Sequence, residues 1–203
     1  MSEKINCIVV GQIETNCWLY PMEADEGEER PCIVIDPGDD AGRIITRLKE
    51  LNWVPRYILA THGHFDHVTA LPELLEAFKK GIFGQAPLPQ VGIHKGDVHH
   101  LKTKPDILFE EGDILGPFRV LYTPGHTQGC VSLFDEKSGI LFTGDTMFQG
   151  TWGRTDLPGG NEEQLYQSLR RLLSLKGDII VLPGHGPTTT IKEEVSYHPR
   201  LAP

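Results

Sequence analysis

The sequence predicts an α/β fold built in layers, and two observations support this prediction. Apolar runs rich in β-branched and aromatic residues alternate loosely along the chain with segments of helical periodicity. The 203 residues are enough to bury a sizeable core, and no linker-like or low-complexity stretch divides them. We therefore expect a single layered domain over residues 1–203.

Strand patterns dominate the first part of the chain. The runs INCIVV (5–10), NCWLY (16–20) and CIVID (32–36) are apolar, with many β-branched and aromatic residues. Between the last two, PMEADEGEER (21–30) carries five acidic residues and a glycine. We interpret it as a solvated hairpin loop.

Helical periodicity follows in three places. Residues 40–51 place isoleucine and leucine at helical spacing, residues 68–80 have Pro72 near the first turn of a helix, and residues 161–175 form the last long helical pattern. The prolines of residues 84–90 predict a loop. Further short strands are expected at 57–61, 91–94, 118–123, 130–134, 140–144 and 178–182.

Composition excludes several classes of function. A net charge of −9 argues against nucleic acid or an anionic membrane as the main partner. The N-terminus lacks the apolar core of a signal peptide, and no run approaches the length of a membrane span. Cys7, Cys17, Cys32 and Cys130 have no CxxC spacing, so we expect small buried thiols in a reducing cytoplasm.

The stretch THGHFDH (61–67) concentrates His62, His64, Asp66 and His67 in one place. Desolvating three imidazoles and a carboxylate together is costly without a cation, so this grouping predicts a metal site rather than a structural role. On an extended backbone His62, His64 and Asp66 would project to one side and His67 to another. One loop can then serve two adjacent metal ions, with His62 and His64 on one and Asp66 and His67 on the other.

Three further candidate ligands follow predicted strands. FRVLYT leads to His126 in PGHT, ILFTG to Asp145, and DIIVL to His185 in PGHG, as YILAT leads to HGHFDH. Ligand sites of open α/β sheets gather beyond the carboxyl ends of strands. We therefore expect these residues to converge on one point.

These motifs resemble the metallo-β-lactamase fold superfamily, and within it the glyoxalase II-like (hydroxyacylglutathione hydrolase-like) branch. THGHFDH, TPGHTQG, FTGDTMF, GRTDLPGG and LPGHG occur in the family's order across residues 61–187. The resemblance implies an αββα four-layer sandwich of two mixed β-sheets with helices outside. It also implies two divalent metal ions, preferably zinc, with iron or manganese as alternatives. The implied ligands are His62, His64 and His126 for the first ion, Asp66, His67 and His185 for the second, and Asp145 as the bridge.

The resemblance further implies hydrolysis of a small-molecule 2-hydroxyacyl thioester such as S-lactoylglutathione. A hydroxide shared by two metal ions would attack the carbonyl carbon, with Asp66 and Asp145 as the catalytic carboxylates. Arg154 is a candidate for holding a substrate carboxylate; the alternative is a structural arginine in a glycine-rich turn. Residues 186–203 are too few for the C-terminal helical region that holds glutathione in full-length glyoxalase II, so we expect that region to be missing.

Three alternatives remain open from the sequence. The first is a persulfide dioxygenase of the same superfamily, which would use one iron held by two histidines and one aspartate. The second is a nuclease of this fold, which the acidic charge disfavours. The third is a non-catalytic metal-binding module, which would have a closed set of ligands. The sequence does not determine the oligomeric state.

Overall fold

The computed structural model describes residues 5–23 and 30–201. Two six-stranded sheets form the centre of this described part. The strands of the first sheet are β1 Asn6–Val10, β2 Thr15–Pro21, β3 Arg30–Ile35, β4 Trp53–Leu59, β5 Gln90–His94 and β6 Ile107–Phe109. They lie side by side in chain order, with β1–β2 and β2–β3 antiparallel and the other pairs parallel.

The second sheet is also mixed. Its strands, with the separate β11–β12 hairpin, are β7 Ile114–Leu115, β8 Phe118–Tyr122, β9 Val131–Asp135, β10 Ile140–Gly144, β11 Met147–Phe148, β12 Thr151–Trp152, β13 Ile180–Pro183 and β14 Thr189–Thr190. The sheet runs β14-β13-β10-β9-β8-β7, and only β10 and β13 are parallel.

Helices cover the outer faces of both sheets. They are α1 Ala41–Leu51, α2 Phe65–Val68, α3 Leu71–Lys79, α4 Glu162–Leu173 and α5 Ile191–Tyr197, with a 3-10 helix at Lys95–His100. Helices α1 and α3 bury apolar side chains against the first sheet, and α4 and α5 against the second. A separate core between the sheets contains Trp18, Phe118 and Phe142. The predicted αββα sandwich is therefore confirmed.

The sequence explains why α4 forms where it does. Its apolar residues Leu165, Leu169 and Leu172 recur on one face and are fully buried. The side chain of Asn161 accepts a hydrogen bond from the backbone N–H of Gln164, which caps the first turn. Acidic residues in the first turn and arginines in the last complement the helix dipole.

Most predicted elements are present, with shifts of a few residues at their ends. The helix expected at 68–80 is instead two helices, α2 and α3, and Pro72 lies in the first turn of α3, where proline needs no N–H partner. Six of the expected loop residues, 24–29, lie outside the described residues. Cys17, Cys32 and Cys130 are buried as predicted, but Cys7 is exposed because it lies on the edge strand β1. No helix among residues 5–23 and 30–201 is long and apolar enough to cross a membrane.

The two sheets are joined by hydrogen bonds at one edge. The N–H of Val131 in the second sheet donates to the carbonyl of Thr61, which follows β4 of the first sheet. The N–H of Asn16 donates to the carbonyl of Gly184, and the indole N–H of Trp18 to that of Pro183. These bonds hold the end of β4 beside the start of β9, and the end of β13 beside β2.

Candidate metal centre

All seven predicted ligands lie at this joined edge. Three groups of potential ligand atoms lie there, with the atoms of each group within 4.8 Å of one another. The groups are His62, His64 and His126; His62, His67 and Asp145; and Asp66, His67 and His185. The segments that follow the four strands therefore converge at one point, as predicted.

The first trio consists of His62, His64 and His126. Nδ1 of His64 lies 3.2 Å from Nε2 of His62 and 2.8 Å from Nε2 of His126. Ligand atoms bound tetrahedrally at the usual Zn–N distance of roughly 2.0–2.1 Å are about 3.3 Å apart. The spacing of the three nitrogens is therefore close to that of three ligands of one ion.

The second trio consists of Asp66, His67 and His185. Oδ2 of Asp66 lies 3.5 Å from Nε2 of His67 and 3.2 Å from Nε2 of His185. We expected Asp66 to project with His62 and His64 from an extended backbone, and this was wrong. The helix α2 begins at Phe65, and its turn places Asp66 beside His67 instead.

Asp145 lies between the two trios. Its Oδ2 is 3.5 Å from Nε2 of His126 in the first trio and 3.6 Å from Nε2 of His185 in the second. Its Oδ1 is 3.3 Å from Nε2 of His67. A single carboxylate therefore contacts both trios.

Backbone carbonyls fix which nitrogen of two histidines faces inward. Nδ1 of His126 lies 2.7 Å from the carbonyl oxygen of Arg154, and Nδ1 of His185 lies 3.1 Å from that of Ile13. A carbonyl only accepts, so Nδ1 carries the proton and the neutral ring presents a lone pair at Nε2. Both lone pairs point into the site.

His62 is arranged in the same way. The Thr61 hydroxyl donates to Asp36, so its oxygen accepts from Nδ1 of His62, 3.3 Å away. The Nε2 lone pairs of His62 and His126 then both face Nδ1 of His64, which has at most one proton to offer. A cation would satisfy all three nitrogens.

Three buried atoms of the site give a further test of whether a metal fits. Both ring nitrogens of His67 and Oδ1 of Asp145 are buried and have no hydrogen-bond partner among the described residues. Buried polar atoms are almost always paired. The donor set of imidazoles and carboxylates matches that of zinc, iron and manganese, so the residues present fit divalent ions.

At two positions near the site, Gly184 and Gly125, the backbone is packed so closely that a larger side chain would not fit. A Cβ at Gly184 would lie 2.3 Å from Oδ1 of Asp145 and 2.7 Å from Cε1 of His67. Gly125 has φ +140, and a Cβ there would lie 2.3 Å from the backbone nitrogen of Leu165 at the start of α4. This contact sets the turn that presents His126.

Electrostatics at the site reflect opposing charges in a small buried volume. Burial lowers the pKa of His62 well below its usual range, and the neighbouring His67 and His126 lower it further. Burial also lowers the pKa of His67, but the carboxylates of Asp145 and Asp36 outweigh it and raise the net value. Burial raises the pKa of Asp145, yet His67 and His185 bring it below the ordinary range.

Asp36 is a buried residue of the site that our sequence reasoning missed. It is buried, accepts hydrogen bonds from the backbone N–H and the hydroxyl of Thr61, and its Oδ2 lies 3.1 Å from Nδ1 of His67. It orients a histidine of the second trio. Its signal was available, because Asp36 directly follows β3 just as Asp145 directly follows β10.

Arg154 reaches the site by its backbone rather than its side chain. Its carbonyl holds His126, while the guanidinium forms two 2.6 Å hydrogen bonds with the exposed carboxylate of Asp156. The role of the side chain in binding a substrate stays a prediction. Among the other histidines, His100 lies near the site, with its ring centroid 6.1 Å from that of His64.

The comparison with protein families agrees with this geometry. Residues 10–185 match the family model described as the metallo-beta-lactamase superfamily. The chain belongs to the metallo-beta-lactamase superfamily. Membership suggests a metal-dependent hydrolase, and the clustered histidines and aspartates are consistent with binding of divalent metal.

Similar proteins within the superfamily carry different names. A protein of Haemophilus influenzae named hydroxyacylglutathione hydrolase GloC is 37% identical, over 97% of each chain. The crystal structure of BLEG-1 B3 metallo-beta-lactamase has a TM-score of 0.84 and 32% identity, covering 98% of this chain and 99% of that one. The structure of TTHA1623 in a di-iron-bound form has a TM-score of 0.79 and 34% identity, covering 98% of each chain.

Proposed function

We propose that this chain is a dinuclear metal-dependent hydrolase of a 2-hydroxyacyl thioester such as S-lactoylglutathione. The position of Asp145 between the two trios carries the dinuclear part of the proposal, since Oδ2 lies 3.5 Å and 3.6 Å from histidines of different trios. His62, His64 and His126 would hold one ion, and Asp66, His67 and His185 the other. Zinc is the proposed metal, with iron or manganese as alternatives.

Ions held there would supply an acidified water and a Lewis acid for a carbonyl oxygen. The chain's own residues order the site around them. Thr15 donates to Oδ2 of Asp66 over 3.2 Å, which fixes this carboxylate at the second trio. Asp66 would then orient the water that the ions supply, and Asp145, which contacts histidines of both trios, would help to hold both ions.

A thioester suits this site better than an amide. A thiolate leaves readily without a proton, whereas an amine leaving group needs a general acid. The name of the Haemophilus influenzae relative supports the same substrate class. Proposed partners are accordingly small-molecule thioesters, without nucleic acid or membrane, and the proposed compartment is the cytoplasm.

The test is release of thiol from S-lactoylglutathione by the metal-loaded protein, with Asp145→Asn as the inactive control. A β-lactam substrate belongs in the same panel, because one similar structure is that of a B3 metallo-beta-lactamase. Cleavage of the β-lactam without thiol release would overturn the thioester assignment. Sulfite production from a persulfide by protein with one iron per chain would instead support the dioxygenase.

A further inference from the structure

Asp97 is a buried carboxylate that lies next to the metal centre and belongs to none of its three ligand groups. It is on the 3-10 helix Lys95–His100 and is 1% exposed. In the described part of the chain no lysine, arginine or histidine forms an ion pair with it. Burying a carboxylate without a cationic partner is costly, so the hydrogen bonds that Asp97 accepts must offset that cost.

Both hydrogen bonds of Asp97 go to segments that carry the first trio. Its Oδ2 accepts from the backbone N–H of Gly63 over 2.8 Å and from the hydroxyl of Thr127 over 2.6 Å. Gly63 lies between His62 and His64, and Thr127 directly follows His126. One oxygen atom therefore links the two segments that supply all three nitrogens of the trio.

The three segments meet at backbone distance around this oxygen. A Cβ at Gly129 would lie 2.3 Å from Cγ of Asp97, and a Cβ at Gly63 would lie 2.9 Å from its carbonyl oxygen. A Cβ at Gly96 would lie 2.7 Å from the carbonyl oxygen of Gln128. Because no side chains separate the segments, the carboxylate directly sets their relative position.

The second trio is supported by a different carboxylate. Asp36 contacts His67 and Thr61, and in the described part of the chain no bond joins it to the segment of His126. Through the Thr61 hydroxyl it also supports His62 of the first trio. Asp97, by contrast, links the two segments that carry the first trio.

We propose that Asp97 is a positioning residue for the first trio and sets its affinity for a divalent cation independently of the second trio. This inference rests on the metal centre of the proposed function, and it does not depend on the substrate. The mechanism is geometric, because Asp97 holds Gly63 and Thr127 so that three lone pairs converge. Removal of a residue that supports metal ligands typically weakens metal binding by roughly 10–100-fold.

Zinc affinity measured in two backgrounds tests the proposal. His185→Ala leaves the first trio intact, and His64→Ala leaves the second. Chelator-stripped proteins are titrated with zinc in competition with a chromophoric chelator. Asp97→Ala should weaken zinc binding roughly 10–100-fold in the His185→Ala background and less than about twofold in the His64→Ala background.

Thr127 provides a second pair of variants in case Asp97→Ala does not fold. Thr127→Val removes one of the two hydrogen bonds and should weaken the first site in the same selective way. Thr127→Ser keeps the hydroxyl and should restore wild-type affinity. A purely structural role for Asp97 would not give this pattern of loss and rescue.

The matched control is Asp135→Asn, a buried carboxylate at the opposite end of β9 from Val131. It should lower the unfolding temperature without changing either zinc affinity. Equal weakening of both sites by Asp97→Ala, or unchanged affinities with a lower unfolding temperature, would overturn the proposal. The zinc titration contains no substrate. If Asp97→Ala weakens zinc binding only at the first trio, but the wild-type protein releases no thiol from S-lactoylglutathione, the thioesterase function is refuted and the role of Asp97 stands.

Discussion

Nε2 of His67 and Oδ1 of Asp145 lie 3.3 Å apart, both buried and both without a hydrogen-bond partner among the described residues. Nδ1 of His67 lies 3.1 Å from Oδ2 of Asp36 and also has no hydrogen-bond partner among the described residues. If the ring is neutral with its proton at Nδ1, its inner nitrogen and the carboxylate of Asp145 are two acceptors, which repel each other unless a cation lies between them. The carboxylates of Asp145 and Asp36 raise the pKa of His67, so a proton on the ring satisfies the pair in the absence of metal, and a bound cation would take the place of that proton.

The first prediction concerns metal content. We expect two divalent ions per chain, removed by a strong chelator with loss of activity. Asp145→Asn should lower occupancy of both sites, because its carboxylate contacts both trios. His185→Ala should mainly affect the second. Elemental analysis of each dialysed variant measures this.

The control for metal content is His198→Ala. His198 packs against Trp152 and lies 3.3 Å from Glu194, so its loss should leave two ions bound. One iron per chain, unchanged by His185→Ala, would contradict the dinuclear assignment and favour the persulfide dioxygenase.

The second prediction concerns Gly184→Ala. The added Cβ would lie 2.3 Å from Oδ1 of Asp145, so the carboxylate or the loop must move. A displacement of about 1 Å at a catalytic group can cost on the order of 100-fold in rate, and we expect a loss of that size. Steady-state kinetics with zinc in excess measures it.

Gly42→Ala is the matched control for this substitution. Gly42 is in α1, and nothing lies within 4 Å of the position a Cβ would take. Activity should be unchanged, and the helix should be stabilised by about 0.5–1 kcal/mol. Wild-type activity in Gly184→Ala would show that the site tolerates a shift of Asp145.

The third prediction separates the backbone and side-chain roles of Arg154. Replacing it with alanine keeps the carbonyl that holds His126. If the guanidinium binds a substrate carboxylate, KM for S-lactoylglutathione should rise roughly tenfold with little change in kcat. Asp156→Asn, which removes its present partner, should lower KM or leave it unchanged. A fall in kcat with constant KM would show instead that the substitution disturbs His126.

The fourth prediction concerns the thiol carrier. Among the described residues after His185, β14 joins the second sheet and α5 buries Ile191 in its outer core. None of the three ligand groups includes a residue of either element. We therefore expect similar kcat/KM for lactoyl thioesters of glutathione and of smaller thiols, measured by thiol release. Strict dependence on glutathione would reveal a specific pocket for the carrier.

Much of the site was predictable because each segment that carries ligands follows a strand. His126 and His185 could be named since an apolar strand and a short turn precede them, and Asp145 since it directly follows the apolar strand β10; these patterns are local. The side of the loop to which Asp66 projects was not predictable, although its place with His67 was expected. It depends on a single helical turn beginning at Phe65, within a motif too short to show periodicity.

The sequence by itself determined the layered α/β class, most of the strands and helices, and the residues able to hold metal. The family resemblance of its motifs also gave the division of those residues between two ions. Only the tertiary structure decided which carboxylates support them. Asp36 and Asp97 act on backbone groups 25 and 34 residues away in the chain. Such bonds form only when the sheets and the 3-10 helix pack together, and a pattern of neighbouring residues carries no record of that packing.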